Sequence, residues 1–335
     1  MTIEVANAAL AVVVLQQEEL LTLITSFQRG CVQALIPFFA KAIQISDYHS
    51  WTWAVFVNDT LDKAENNHRT DILRLLCKNA PHFMTFRVLD LAAERGALDI
   101  LQYVLSDCRF HCSSDAMDYA AAEGHLEIVQ YLHTKRNEGC TKRAMNSASS
   151  RGHLAIVKFL HLYRQEGCTQ VAMDGAAAHG HEEIVIFLHE NRTEGCTTQA
   201  MDLAARNGHL NIVKFLHENR LEGCTLDAMT YALMYEHLDV AEYLHERRQE
   251  GYEEDALFAA AWAGSLETVK FLCKIQPEAF SSHVLEAAAS QGHVHVVAYL
   301  HSVYSFNWIV RWLIAAKAFF ISLWRYFQKR TFLAL

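Results

Sequence analysis

The sequence is poor in residues that interrupt helices. It has three prolines (Pro37, Pro81, Pro277) and 14 glycines in 335 residues, so long stretches are free to be helical. It contains no glycine-rich phosphate loop and no His-Glu-x-x-His, which removes the usual sequence signs of nucleotide binding and zinc hydrolysis. Nowhere do a nucleophile, a base and an oxyanion site gather. The chain is therefore read as non-enzymatic, with no cofactor and no metal site. No lysine or arginine precedes Arg29, although Ala8 to Leu15 is apolar, whereas a secretory leader begins with a basic segment. Nine cysteines without such a leader fit a reduced, cytoplasmic protein. The segment from Val303 to Leu335 has no acidic residue, only Arg311, Lys317, Arg325, Lys329 and Arg330. Taking those five from 29 basic residues leaves 24 against 38 acidic ones, a net of −14 for the remaining chain. Such a body is a poor partner for a nucleic-acid backbone, whose binding runs on neutralised phosphates.

What is present is a beat of 28 residues. It reads GHLEIVQYLH from Gly124, GHLAIVKFLH from Gly152, GHEEIVIFLH from Gly180 and GHLNIVKFLH from Gly208. Weaker copies follow in register from Glu236, Gly264 and Gly292, and earlier ones stand at Gly96 and His68. Nine copies without a slipped residue mark a stacked repeat array. Because each unit touches only its neighbours, the array lengthens without a growing central core, and the chain length does not call for two domains.

In the unit from Ala116 to Arg143, Ala116, Met117, Ala120 and Ala121 fall at helical spacing up to Glu123. Gly124 ends that short helix as a residue free to take positive φ. A second helix carries Leu126, Ile128, Val129, Tyr131 and Leu132 over more than one face, as expected of a helix packed between a preceding and a following repeat. The segment from Lys135 to Thr141 returns the chain to the next pair.

This pattern of Ala120-Ala121, Gly124-His125, Ile128-Val129 and Leu132, recurring at all nine positions, resembles the ankyrin-repeat family. The resemblance implies an all-α, helix–turn–helix solenoid of nine repeats that binds a protein partner on its concave surface. Two features depart from the family. Its Thr-Pro-Leu-His opening is replaced by sequences such as Asp115-Ala116-Met117-Asp118, and the unit has 28 residues where the family's has about 33. Compact loops such as Glu138-Gly139-Cys140-Thr141 are expected in place of long β-fingers.

The expected organisation has three parts: residues 1–59, the array at 60–311, and a hydrophobic, basic tail at 302–335 that overlaps the ninth repeat. Leu20, Leu21, Leu23, Ile24, Phe27, Leu35, Ile36, Phe38 and Phe39 point to two or three N-terminal helices covering the open end of the array. An F-box-like adaptor helix is the alternative, with no clear motif for it.

Several columns imitate chemical sites. Cys112, Cys140, Cys168, Cys196 and Cys224 stand one per repeat, with Met84 and Tyr252 in equivalent places. Helix pairs stack at about 8–10 Å and a disulfide needs Cα atoms within about 7 Å, so neighbours can neither bridge nor share a zinc ion. His125, His153, His181, His209, His237 and His293 follow the turn and are expected to bond to backbone there. His133, His161, His189, His217, His245 and His301 close the second helices, where a cation suits a helix C-terminus. Arg136, Arg164, Arg192, Arg220 and Arg248 run beside Glu138, Glu166, Glu194, Glu222 and Glu250 as loop ion pairs, each worth little if exposed.

Binding should use the positions where repeats differ. The resemblance places first helices and the loops before them on the binding face, including Lys142-Arg143 and the column that begins with Tyr119. Tyr231, Met234, Tyr235, Phe258 and Trp262 gather on two adjacent repeats where other repeats carry small or charged residues. Aromatic anchors dominate interface energies, so these residues with Tyr119, Lys142 and Arg143 form the expected contact set for a protein partner. The alternative is that the large residues simply repack two degenerate units.

In the tail, Trp308 to Phe327 is 20 residues long, enough to span a bilayer. Arg311, Arg325 and Lys329 share one helical face with small residues, whereas Lys317 lies off it. At mid-span Lys317 would cost about 2.5–3.5 kcal/mol. The tail is thus a membrane-surface helix using Arg311, Lys317, Arg325 and Lys329, a tail anchor, a cap on the ninth repeat, or a wrongly assigned exon. The leading reading is a monomeric cytoplasmic interaction scaffold. The alternative is the same scaffold tethered to a membrane through residues 302–335.

Overall fold

The computed structural model describes residues 84–303, apart from 108, 249–250, 252–254 and 277–280, together with isolated positions between 54 and 77. The chain divides into two compact units, Met1–Thr169 and Gln170–Leu335. All regular structure among the described residues is helical.

In the first unit the pairs are α1 (Phe86–Glu94) with α2 (Leu98–Leu105), α3 (Ser114–Glu123) with α4 (Leu126–Lys135), and α5 (Lys142–Ser150) with α6 (Leu154–Tyr163). In the second they are α7 (Gln170–Ala178) with α8 (Glu182–Asn191), α9 (Thr198–Arg206) with α10 (Leu210–Asn219), and α11 (Leu226–Met234) with α12 (Leu238–Arg247). Two further pairs follow there, α13 (Ala256–Ala263) with α14 (Leu266–Ile275), and α15 (Ser282–Gln291) with α16 (Val294–Val303). Within each unit, first helices pack on first helices and second helices on second helices. Apart from those isolated positions, the repeat expected around His68, the 1–59 region and the tail beyond residue 303 lie outside the described residues.

Each pair folds from the same local instructions. Ser113, Thr141, Thr197 and Thr225 adopt extended backbone, and their hydroxyls accept from the amides of Asp115, Arg143, Gln199 and Asp227 at 3.1–3.2 Å. This N-cap satisfies an otherwise orphaned helix donor. It also starts the first helix at Ser114, two residues before the expected Ala116. Ala116, Ala120 and Ala121 have no exposure, so neighbouring first helices meet over methyl groups. Ile128, Val129 and Leu132 of α4 are buried as well, and the same set recurs in α6, α8 and α10.

The turn between paired helices needs its glycine for two reasons. Gly124 lies at φ 87°, in the left-handed region that an L side chain enters only with strain. A Cβ there would also stand 2.7 Å from the His153 ring of the next repeat. That ring reaches back so that Nε2 donates to the Ala122 carbonyl at 3.0 Å, as His125 does to Glu94 at 2.9 Å and His293 to Trp262 at 3.0 Å. The histidines after the glycine therefore bond to backbone at the turn, and the backbone is that of the preceding repeat. Burial holds the His209 imidazole below its usual value, against the raising effect of its hydrogen bond to the Ala178 backbone.

The second histidine column stands in the last turn of the second helices, as expected, and its rings also pack. His133 meets Phe159 edge to face at 5.5 Å, His189 meets Phe215 at 5.4 Å, and His217 meets Tyr243 at 5.7 Å. These are packing rings between successive second helices. The loop ion pairs are also more enclosed than expected. Arg136 and Glu138 meet at 2.6 Å with side chains only 18% and 23% exposed, and Arg220 pairs with Glu222 in similar shelter. The Cys140 amide donates to the Glu166 carboxylate at 3.5 Å and the Cys196 amide to that of Glu222 at 3.4 Å, so these two pairs also tie one loop to the loop before it. The Arg220 hydrogen bond, opposed by partial burial, holds Glu222 at about 2.

Candidate functional site

Neighbouring first helices are joined by a clasp. The Asp118 carboxylate accepts from the Thr141 amide at 2.8 Å and from its hydroxyl at 2.5 Å. The same arrangement joins Asp90 to Ser113, Asp174 to Thr197 and Asp202 to Thr225. Asn146 replaces the acid once, accepting from the Thr169 amide and donating to its hydroxyl, both at 2.9 Å. Burial pushes the Asp90 carboxyl up to about 6 against the lowering effect of the Ser113 hydrogen bonds. Burial likewise raises Asp118, Asp174 and Asp202.

At the next step both members of the pairing are replaced in the sequence. Thr230 occupies the acid's column, and Glu253 stands in the sequence where Thr225 stands one repeat earlier. α13 begins at Ala256 behind Asp255, which makes no side-chain cap, whereas α11 begins at Leu226, one residue after Thr225. The turn changes too. Glu236 replaces the glycine yet keeps positive φ (62°), alone among the described non-glycine residues. Ser265 replaces the histidine that would crowd its Cβ. Thr268 takes the buried column held by Ile128, Ile156, Ile184, Ile212 and Val240, and its hydroxyl donates to the Leu233 carbonyl at 3.2 Å.

The physical result is a cavity of about 90 Å³ between α11 and α13, lined by Thr230, Leu233 and Met234 on one side and Ala256, Ala259, Ala260 and Ala263 on the other, with Asp255, Ser265 and Thr268. α11 and α13 also share a smaller contact than the other consecutive first-helix pairs described within this unit.

Of the contact residues expected at this junction only Met234 lines the cavity; Tyr231, Tyr235, Phe258 and Trp262 stand on the same two repeats. Met234 is 59% exposed, Tyr235 46%, Phe258 40% and Trp262 50%, values that make them surface and exclude simple core repacking. Phe258 and Trp262 stack one helical turn apart, with centroids 6.3 Å apart and planes at 24°. On α9, the Arg206 guanidinium lies 5.6 Å from the Tyr231 ring and 5.2 Å from the Tyr235 ring, and Nη2 donates to the Tyr235 hydroxyl at 3.1 Å. Tyr231 is half-buried. Such cation–π contacts hold the two rings in place.

A second cluster lies in the first unit. The Arg143 guanidinium stands 5.7 Å from the Tyr119 ring and 3.5 Å from the Asp115 carboxylate, with Lys142 exposed beside it. The structure therefore brings Tyr119 and Arg143 together. Arg311, Lys317, Arg325 and Lys329 fall outside the described residues, and among those that are described no helix is long and apolar enough to cross a membrane.

Arg206, Leu233, Thr230, Ser265 and Thr268 were missed by sequence reasoning. A signal existed, in the acid column at 90, 118, 174 and 202 with its hydroxyl partner 23 residues on. Interruption of that pairing at Thr230 and Glu253 marks the junction that opens. In the cysteine column, burial pushes the thiols of Cys112, Cys140 and Cys196 up to about 12. Among the described residues no group of three or more His, Cys, Asp or Glu is placed to hold a metal ion.

Stacked helix pairs joined by side-chain clasps, with large exposed rings at one junction, define a repeat protein that presents a surface. The family model described as ankyrin repeats (3 copies) matches residues 89–174, 144–230, 173–255 and 201–281. These overlapping matches cover more than half of the chain, which belongs to the ankyrin-repeat family. Ankyrin repeats generally mediate protein–protein interaction. No curated protein matches the sequence.

Proposed function

We propose that the chain is a non-enzymatic adaptor that captures a segment of a partner protein across α9, α11 and α13. Tyr231, Met234, Tyr235, Phe258 and Trp262 form the contact surface, and an apolar side chain of the partner enters the cavity between α11 and α13. The carrying observation is that four of the large apolar side chains exposed on the described residues, Met234, Tyr235, Phe258 and Trp262, sit on two adjacent repeats, with Met234 also lining the cavity between them. Clustered exposed apolar groups mark interaction sites, and rings already held by Arg206 or by each other lose little freedom on binding. Tyr119, Lys142 and Arg143 form a separate contact point in the first unit. The scaffold acts as a cytoplasmic monomer in this reading.

The test is selection of peptides from a displayed random library by the full chain, followed by the variants Tyr235→Ala and Trp262→Ala. Each variant is expected to weaken the selected peptides at least about tenfold, the effect of losing an interface anchor, with an unchanged melting temperature. Leu221→Ala, at a fully exposed loop residue away from the patch, serves as control. Equal binding by Trp262→Ala and Leu221→Ala, or a large fall in melting temperature, would overturn the assignment.

A further inference from the structure

Given the binding surface proposed above, on which this inference rests, we infer that the captured segment is basic: it carries arginine or lysine among its apolar side chains. Exposed carboxylates run beside the rings. Asp227 and Asp255 occupy the same place in successive repeats, 28 residues apart. Asp227 stands in the first turn of α11, four residues before Tyr231, and Asp255 stands at the start of α13, three before Phe258 and seven before Trp262. Those spacings put each carboxylate on the side of its helix that carries the rings. Asp255 also lines the cavity with Met234. Glu286 holds on α15 the place that Phe258 holds on α13. All three acids are exposed, and none forms an ion pair among the described residues.

Elsewhere the array neutralises such an acid from within. Asp115, in the column of Asp227 and Asp255, faces the Arg143 guanidinium at 3.5 Å. α11, α13 and α15 carry no lysine or arginine that could do the same. The rings favour the same partner, because an aromatic face attracts a cation. Arg206 already uses that attraction, lying 5.6 Å from the Tyr231 ring and 5.2 Å from the Tyr235 ring. Phe258 and Trp262 stack on each other and are exposed, and no cation of the described residues lies over either ring. A neutral apolar segment laid here would desolvate Asp227 and Asp255 without pairing them, which costs free energy. A basic segment meets the carboxylates and the open rings together, and a guanidinium both pairs and stacks.

The test starts from peptides selected by the full chain out of a displayed random library. Each is made again with citrulline for arginine and acetyl-lysine for lysine, and this neutralisation is expected to weaken binding at least about tenfold. Towards the unaltered peptides, Asp227→Asn with Asp255→Asn should lose about fivefold. Glu183→Gln with Glu190→Gln removes the same charge from exposed positions of the second helix α8 and should lose less than about twofold. The neutralised peptides leave the chain unaltered, so a loss of stability in a variant cannot imitate their effect. Peptides that need Trp262 but bind equally well after neutralisation would overturn the inference and leave the surface standing. Equal losses from the two double variants would overturn it as well, since the overall charge of the chain would then be the attraction. Peptides indifferent to Trp262→Ala would end both readings.

Discussion

The junction between α9 and α11 and the one between α11 and α13 lie one repeat apart and are made by the same kinds of helices. At the first, the Asp202 carboxylate takes both the amide and the hydroxyl of Thr225, and Gly208 leaves room for the His237 ring. At the second, Thr230, Glu236 and Ser265 remove acid, glycine and ring together, and a cavity opens. The apolar layer is kept at both, with Ala232 and Ala260 buried as Ala204 is. The contrast separates two jobs. Burial of alanine, leucine and valine makes the helices stack at all, as the non-directional term. The directional side-chain bonds decide how tightly each step is closed. Here the step whose side-chain pairing is changed in the sequence is also the one that carries the exposed rings.

The comparison breaks most sharply at the turn glycine. Gly208→Ala puts a Cβ 2.5 Å from the His237 ring at φ 75°, combining left-handed strain with overpacking. It is expected to destabilise the chain by about 3 kcal/mol. Glu236→Ala at the next junction already has a Cβ in a left-handed residue facing Ser265, and should change stability by less than about 0.5 kcal/mol. Urea denaturation compares the two. Similar losses would mean that the second turn is as crowded as the first.

Next in size is the clasp. Asp202→Ala leaves the buried-side donors of Thr225 without their acceptor and should cost about 2 kcal/mol. Asp202→Asn should cost under about 0.5 kcal/mol, because Asn146 already performs the same exchange with Thr169. Thr230→Ala, where the acid is absent, is expected to lose less than half of what Asp202→Ala loses. Equal losses at 202 and 230 would erase the difference between the junctions.

Much of this architecture was legible in the chain itself. The beat of Gly-His, alanine pair and Ile-Val set the helix–turn–helix unit, and Met234, Tyr235, Phe258 and Trp262 stood out because repetition made their columns comparable. Two kinds of fact were not read. The Asp118–Thr141 clasp joins residues 23 apart, a spacing that cuts across the 28-residue register, so neither column looked paired. The His133 column was read correctly at the helix end, but its ring partner Phe159 belongs to the next repeat. Spacing within a unit is local information, whereas these bonds exist only after two units have stacked.

A smaller effect sharpens the contrast from the other side. Glu236→Gly releases a left-handed non-glycine residue and should raise stability by about 1 kcal/mol, seen as a higher urea midpoint with an unchanged slope. A neutral result would show that the Glu236 conformation carries no strain, and that the glycines elsewhere are kept for the histidine ring alone.

The finest test is of pH dependence. Burial raises the Asp202 carboxyl in the folded chain above its ordinary 3.8, against the Thr225 hydrogen bonds, and Asp90 is raised to about 6. A carboxylate with a raised folded pKa binds its proton more tightly when folded, so stability falls as pH climbs from 3.8 towards the folded value, and is flat above it. Glu222 acts in the opposite sense: held at about 2 by Arg220 rather than its ordinary 4.5, it contributes stability above 4.5 that is lost as pH falls towards 2. Thr230 supplies no titrating group at the second junction. As pH rises from 3.8 through the raised folded value, Asp202→Asn should therefore flatten the decline in unfolding free energy, while Thr230→Val leaves the slope where it was. Should Asp202→Asn keep the full slope, the clasp would have to be joined by a carboxylate that folding does not desolvate, and the enclosed geometry around Thr225 would be the wrong account of why this junction stays shut.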